Sequence, residues 1–291
     1  MQFAINSAPM INNKNILITG CSSGIGLCVA HGLKDRGYRV FATARSLSDV
    51  EKLQEEGFEA YQLDLTDSDS LNQAVDSILE KTGNRIDALF NNGAYGLPGA
   101  VEDLSRDALR VQFETNVFGW IELTNRIIPV MRQQDYGRII MNSSVLGFAA
   151  MAYRGAYNAS KFAIEGFTDT LRLELKETCI QLSLIEPGPI SSKFRQNAKK
   201  AFDQFIDAEN SVHKEQYEAM ERRLKKPGPA APFTLPPEAV LKRVIHALES
   251  DKAKPRYYVT FPTYLFGYLK RFLSSSVMDK ILSKAGGDGK R

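Results

Sequence analysis

Short apolar, β-rich runs alternate with longer stretches of helical period along the first two-thirds of this 291-residue chain. The runs are Asn15–Thr19, Arg39–Thr43, Phe58–Leu63, Asp87–Phe90, Arg138–Met141 and Gln181–Ile185. Continuous apolar runs of this length suit strands buried on both faces, as in a parallel sheet covered by helices. The spacing predicts a helix after Gly26, a long one from about Asp107 to Met131, and another opening at Tyr157. In the last of these, Phe162, Ile164, Phe167, Leu171 and Leu175 recur at helical spacing. A helix over Pro237–Leu248 and a seventh strand over Arg256–Thr260 complete an α/β pattern. The expected fold is a doubly wound parallel sheet of about seven strands in one domain, residues 15–260, after an extension over residues 1–14.

Past Ile190 the pattern changes. Lys193 to Lys226 is charged, with Phe202, Phe205, Ile206, Tyr217, Met220 and Leu224 interspersed. It reads as one or two amphipathic helices, forming a substrate lid over about residues 190–235 or covering the sheet as plain surface helices. A proline-rich hinge, K-K-P-G-P-A-A-P-F-T-L-P-P, follows. The tail, residues 261–291, crowds apolar and aromatic residues with Lys and Arg, and Ser274–Ser276 divides it into two short helices. It suits packing over the substrate mouth or a subunit interface, or peripheral contact with a membrane surface. The last seven residues, A-G-G-D-G-K-R, are expected to be disordered.

Composition narrows the function classes. A 43% hydrophobic content suits a large core, and a net charge of +3 without an aromatic–basic array argues against nucleic acid. Cys21, Cys28 and Cys179 lack disulfide or metal-ligand spacing, and His31, His213 and His246 are scattered, so no metal site is expected. The amino terminus lacks a basic segment followed by a long apolar run, and no stretch is long enough to span a bilayer. A reduced, cytoplasmic chain is the expectation, with membrane association through the tail as its extension.

The chemistry concentrates at strand ends. The first run enters G-C-S-S-G-I-G, Gly20 to Gly26, and then a helix. Strand, glycine turn and helix make a dinucleotide-binding start of Rossmann type: the backbone can approach a pyrophosphate, and the helix N-terminus offers it unpaired N–H groups. The second strand ends without an acid for a ribose 2′-hydroxyl, and Arg45 stands where a 2′-phosphate would be met. The cofactor expected is NADP(H) rather than NAD(H). Asp64 can bond an adenine amino group or cap the helix opening at Thr66-Asp67-Ser68. The small residues of N-N-G-A, Asn91–Ala94, let the chain pass close under a cofactor, with Asn91 supporting backbone. Asn116 lies in apolar surroundings, where an amide needs partners or bends a helix. Ser144 lies just past a strand's carboxyl end. Tyr157 and Lys161 are one helical turn apart, so an ammonium can favour a phenolate whose ordinary pKa is about 10. Leu97, Phe148, Met151 and Tyr153 lie near this centre in sequence and point to a hydrophobic ketone, aldehyde or alcohol.

In order, T-G-C-S-S-G-I-G at Thr19–Gly26, Asp64-Leu65, N-N-G-A, Asn116, Ser144, Y-N-A-S-K at Tyr157–Lys161 and P-G-P-I-S-S from Pro187 resemble the short-chain dehydrogenase/reductase family. Y-N-A-S-K-F-A-I-E-G-F and E-P-G-P-I are similar to its 17β-hydroxysteroid and retinol dehydrogenase branch. The resemblance implies Tyr157 as catalytic acid/base, Lys161 lowering its pKa and binding the nicotinamide ribose, and Ser144 orienting the carbonyl. It implies Asn116 as holder of a proton-relay water. It also implies cofactor contacts at Gly20, Ser22, Ser23, Gly24, Ile25, Gly26, Asp64, Leu65, Asn92, Gly93, Pro187, Gly188, Ile190 and Ser192. The family's N-N-A-G reads N-N-G-A here, and its threonine in P-G-x-I-x-T is Ser192, which keeps the hydroxyl. A homo-oligomer, dimer or tetramer, is implied as well. Steroid, retinoid and fatty aldehyde suit the motifs equally, and a non-catalytic NADP(H)-sensing protein of the same fold is the alternative function.

Overall fold

A computed structural model describes residues 13–226, 228 and 231–287. Most of the expected amino-terminal extension, three hinge residues and the last four residues of the tail lie outside the described residues. Seven strands form one sheet: β1 (Asn15–Ile18), β2 (Arg39–Ala44), β3 (Glu59–Gln62), β4 (Ala88–Asn91), β5 (Gly137–Asn142), β6 (Ile180–Glu186) and β7 (Arg256–Tyr258). Their order is β3-β2-β1-β4-β5-β6-β7, and every neighbouring pair is parallel. The chain steps outward from β1 in one direction, then crosses back to build the other half from β4. Between β1 and β4, therefore, the carboxyl ends of the strands open into a crevice.

Alternation along each strand divides the core in two. Ile16 and Ile18 of β1, Val40 and Ala42 of β2, and Ala88 and Phe90 of β4 face one layer, built from α1 (Gly24–Lys34), α2 (Leu47–Glu55) and α9 (Glu238–Glu249). Leu17, Phe41 and Leu89 face the other, built from α3 (Ser68–Thr82), α5 (Gly119–Gln133) and α6 (Gly155–Glu174). Because both faces are covered, the inner strands β1, β4 and β5 are buried at every position, whereas the edge strands β3 (Glu59–Gln62) and β7 (Arg256–Tyr258) carry polar, partly exposed residues.

Two helical expectations need correction. The stretch from Asp107 to Met131 is not one regular helix: α4 (Arg106–Phe113) passes into α5 through a π-helical turn, Glu114–Phe118. Asn116 sits in that turn with its amide drawn to Tyr95 and Ser160. In α6 and at its C-cap, Ile164 and Leu175 are buried, but Phe162 and Phe167 are exposed. Its apolar residues occupy two faces, and the sheet covers one.

The second half supplies two further layers over the crevice. Helices α7 (Phe194–Phe205) and α8 (Lys214–Lys225) pack on each other and on the segment around Leu97 and Ala100. The tail helices α10 (Phe261–Phe272) and α11 (Ser275–Gly286) cover the turn after Ser144, with Phe266 and Met278 against Val145 and Ala149. The division at Ser274 follows the sequence pattern, since Leu273 and Ser274 are extended between the helices.

Candidate active site

The glycine turn lies at the crevice. Gly20 has φ +71°, and a Cβ there would stand 2.6 Å from the Gly93 Cα, so the β1 and β4 loops approach at a distance only glycine permits. Thr19 Oγ1 joins the two loops by accepting from the backbone N–H groups of Asn92 and Gly93, each at 2.9 Å. The Asn92 side chain is committed to backbone: it donates to the carbonyls of Thr19 and Gly20 and accepts from Asn142. Asn91 is fully buried and donates to Thr124. Helix α1 begins with Ser23 as N-cap, yet the Ser23 side chain makes no capping bond and the first turn contains no acid. Its N–H groups and the positive end of its dipole face the crevice beside exposed Ser22. This end fits an anion.

Around that end stand the other residues named from the sequence. Arg45 is exposed just past β2, and its charge draws down the Tyr95 phenol, which burial nevertheless pushes up to about 12. Asp64 accepts from the Thr66 N–H and hydroxyl within a tight turn, while Asp67 provides the α3 cap. Leu65 packs against Gly93 and Gly119, whose missing side chains make room for it. The loop from Pro187 returns over the glycine turn: Ile190 bridges to Leu235, and the Ser192 Cβ lies 2.9 Å from where a Gly24 Cβ would be. A Cβ at Gly188 would strike Thr260 Oγ1 at 2.1 Å, so this loop sits hard against the residue that caps α10.

Asn116, Ser144, Tyr157 and Lys161 converge where β4, β5 and the start of α6 meet. Ser144 caps the short 3-10 turn Val145–Gly147, accepting from the Leu146 N–H at 3.1 Å, and its hydroxyl reaches the Pro187 carbonyl at 3.5 Å. The same hydroxyl faces the Tyr157 phenol closely enough to lower its pKa. Lys161 is buried; its ammonium donates to the Asn142 carbonyl at 2.8 Å, lies 4.2 Å from the Trp120 ring centroid and 5.7 Å from that of Tyr157. Asn116 Nδ2 donates to Ser160 Oγ, which donates in turn to the Tyr157 carbonyl.

Electrostatics here run against the simplest expectation. Burial pushes the Tyr157 phenol up to about 12, with the Ser144 hydrogen bond pulling the other way. Burial also brings Lys161 down to about 7, opposed by the Glu165 carboxylate. Desolvation is the largest cause of both shifts, as it is for ionisable groups held away from water. The pairing is therefore one of position: both groups sit on one face, and their charge states depend on what shares the pocket.

Several residues of this region escaped the sequence reading. Phe194, at the start of α7, lays its ring at 5.4 Å from the Tyr157 ring. Behind Lys161, Arg256 bonds Glu165, Glu186 and Asp169. Burial raises both Glu165 and Glu186 above the ordinary carboxylate range. Glu165 was findable in principle, one helical turn beyond Lys161; its partners, from a strand end and a distant strand, were not. The four apolar candidates fall into two walls. Leu97 and Tyr153 pack with α7 and α8, and Tyr153, at φ +59°, bonds His213 at 3.1 Å. Phe148 and Met151 pack with the tail.

An open helix end at the switch point of a doubly wound sheet, beside a serine just past one strand and a tyrosine and lysine on the helix that follows, is the arrangement of an α/β oxidoreductase. Residues 14–202 match the short chain dehydrogenase family model, and the chain belongs to that family. It is 42% identical over 272 residues to the uncharacterized oxidoreductase YbbO of Escherichia coli K12, covering 94% of this chain and 95% of that one. Human 17-beta-hydroxysteroid dehydrogenase type 1 is 32% identical over 260 residues, covering 84% of this chain and 77% of that one. A short-chain dehydrogenase structure from Streptomyces avermitilis superposes with a TM-score of 0.74 at 27% identity, covering 89% of this chain and 93% of that chain.

Proposed function

We propose that the protein is an NADP(H)-dependent oxidoreductase that interconverts a hydrophobic ketone or aldehyde and its alcohol. The observation that carries the reading is the meeting of Ser144, Tyr157 and Lys161 beside the uncapped end of α1. That helix end and Arg45 suit the two phosphate positions of the dinucleotide, which supplies the hydride when bound. Ser144 holds the carbonyl oxygen, and Tyr157, kept protonated by its buried setting, gives that oxygen its proton. Lys161, held by the Asn142 carbonyl, stabilises the phenolate left behind and meets the nicotinamide ribose. Asn116 braces this face through Ser160 and suits a water that returns the proton. The Phe194 ring and the Leu97, Phe148, Met151 and Tyr153 walls suit an apolar substrate.

Self-association is part of the same reading. Phe118, Phe162 and Phe167 are exposed beside α5 and on α6, and a groove lined by Phe118, Ile121 and Phe167 runs between them. Such a patch suits a dimer or tetramer. No described helix is long and apolar enough to cross a membrane. The three thiols are unpaired, which suits the reducing cytoplasm.

The test is a panel of apolar carbonyls and alcohols with NADPH and NADH, on wild type and Tyr157→Phe. The expected result is turnover by wild type, lowered by about 10²–10⁴ in the variant with dinucleotide binding intact. Equal inactivity of both proteins on every member, with both binding NADPH, would replace this reading by a cofactor-sensing one.

A further inference from the structure

Helix α10 is apolar on two faces. Its inner face, Thr263, Phe266 and Gly267, packs toward the protein. Its outer face carries Phe261, Tyr264, Leu265, Tyr268 and Phe272, at i, i+3, i+4, i+7 and i+11, all exposed. Phe272 is 82% exposed and Tyr268 56%. A helix on a globular surface ordinarily turns charged residues to solvent. Here aromatic and leucine side chains stand there instead, joined by Phe233, whose ring lies 5.0 Å from that of Phe261.

Charge says what this face is suited to meet. Residues 261–291 hold six lysines and arginines against two aspartates, a formal +4, although the whole chain carries only +3. Lys270 and Arg271 precede Phe272 directly, and on α11 Val277, Lys280 and Lys284 share one face. A second copy of the chain is a poor match: a two-fold contact would set this patch on itself and bring its cations together. An anionic bilayer surface meets both features at once, taking the aromatic stripe among its headgroups and the cations against its phosphates.

We propose that α10 and α11 dock the protein on anionic lipid surfaces, with the outer stripe of α10 entering the headgroup layer. The face is also placed for supply. Lys270 donates to the Phe148 carbonyl at 2.6 Å, and the inner side of the tail packs on the turn after Ser144. A lipid-dissolved carbonyl compound would thus arrive beside the pocket; this last point rests on the redox reading, whereas the docking does not.

The experiment is co-sedimentation of the full chain with vesicles of phosphatidylcholine alone or mixed with phosphatidylglycerol. Binding is expected to the mixed vesicles, at least tenfold weaker to the neutral ones, and diminished by salt. The double variant Tyr268→Glu/Phe272→Glu should lose vesicle binding while keeping its circular dichroism spectrum, since both side chains are exposed. Replacing Arg271, Lys280 and Lys284 by Gln should weaken binding by about fivefold per cation. Equal binding to both vesicle types, no binding to either, or a double variant that alters oligomeric mass and leaves vesicle binding untouched would each overturn the proposal. Vesicle binding by a chain inactive on every carbonyl would sink the redox reading alone.

Discussion

The helices that follow β1, β2 and β3 start at the same edge of the sheet, and they treat their amino ends differently. At α2, Ser46 accepts from the Asp49 N–H, and Asp49 lies in the first turn. At α3, Asp67 accepts from the N–H groups of Asp69 and Ser70. At α1, the Ser23 side chain caps nothing and no acid follows. Capping contributes about 1 kcal/mol to a helix, so the open end forgoes stability where its neighbours do not. Of these three ends, α1 is the one left open to an outside anion. The other two ends are closed by the chain's own groups.

The comparison can be broken most directly by closing the open end. Ser23→Asp puts a carboxylate where a pyrophosphate would lie, and like-charge contact costs a few kcal/mol. Dinucleotide affinity, read by fluorescence titration, should fall about hundredfold with thermal stability unchanged or raised. Retained affinity would show that phosphate is not held there. Next in size, Arg45→Ala should weaken NADPH binding by about tenfold and leave NADH nearly unaltered; equal losses would remove Arg45 from phosphate recognition. The converse change, Asp67→Ala, should lower unfolding free energy by about 1 kcal/mol in urea titration and leave dinucleotide affinity as it was. Last comes a pH effect on the same division between groups held for chemistry and groups held for the fold. Lys161 is held down to about 7, so its charged form disappears as pH rises through that value, and carbonyl reduction should decline with it. Glu165 is the carboxylate that opposes this shift. Glu165→Gln should therefore move the decline in kcat toward lower pH, and an unmoved profile would detach Glu165 from Lys161.

Much of the sheet could be read from sequence because buried parallel strands leave continuous apolar runs, as in Ile16–Ile18 and Ala88–Phe90. Placing Ser144, Tyr157 and Lys161 at one edge needed only the alternation of strand and helix. The π turn at Asn116 was not legible, and the Tyr95 backbone that the Asn116 amide bonds there lies 21 residues away. Nor was the second apolar face of α6, since Phe162 and Phe167 fit the same helical period as Ile164. The carboxylates around Arg256 were hidden for a third reason: Glu165 and Glu186 are 91 and 70 residues from their shared partner.

That shared partner has a consequence for the history of the chain. Arg256 stands between Glu186, which has no exposed surface, and Glu165, nearly as deep, and Asp169 touches it from the rim. Removing the guanidinium alone would strand two acids in the interior, at a cost of about 3–5 kcal/mol. Drift at these positions cannot proceed one codon at a time, so descendants should either inherit the arginine and its two deep glutamates together or have exchanged all three for a neutral filling.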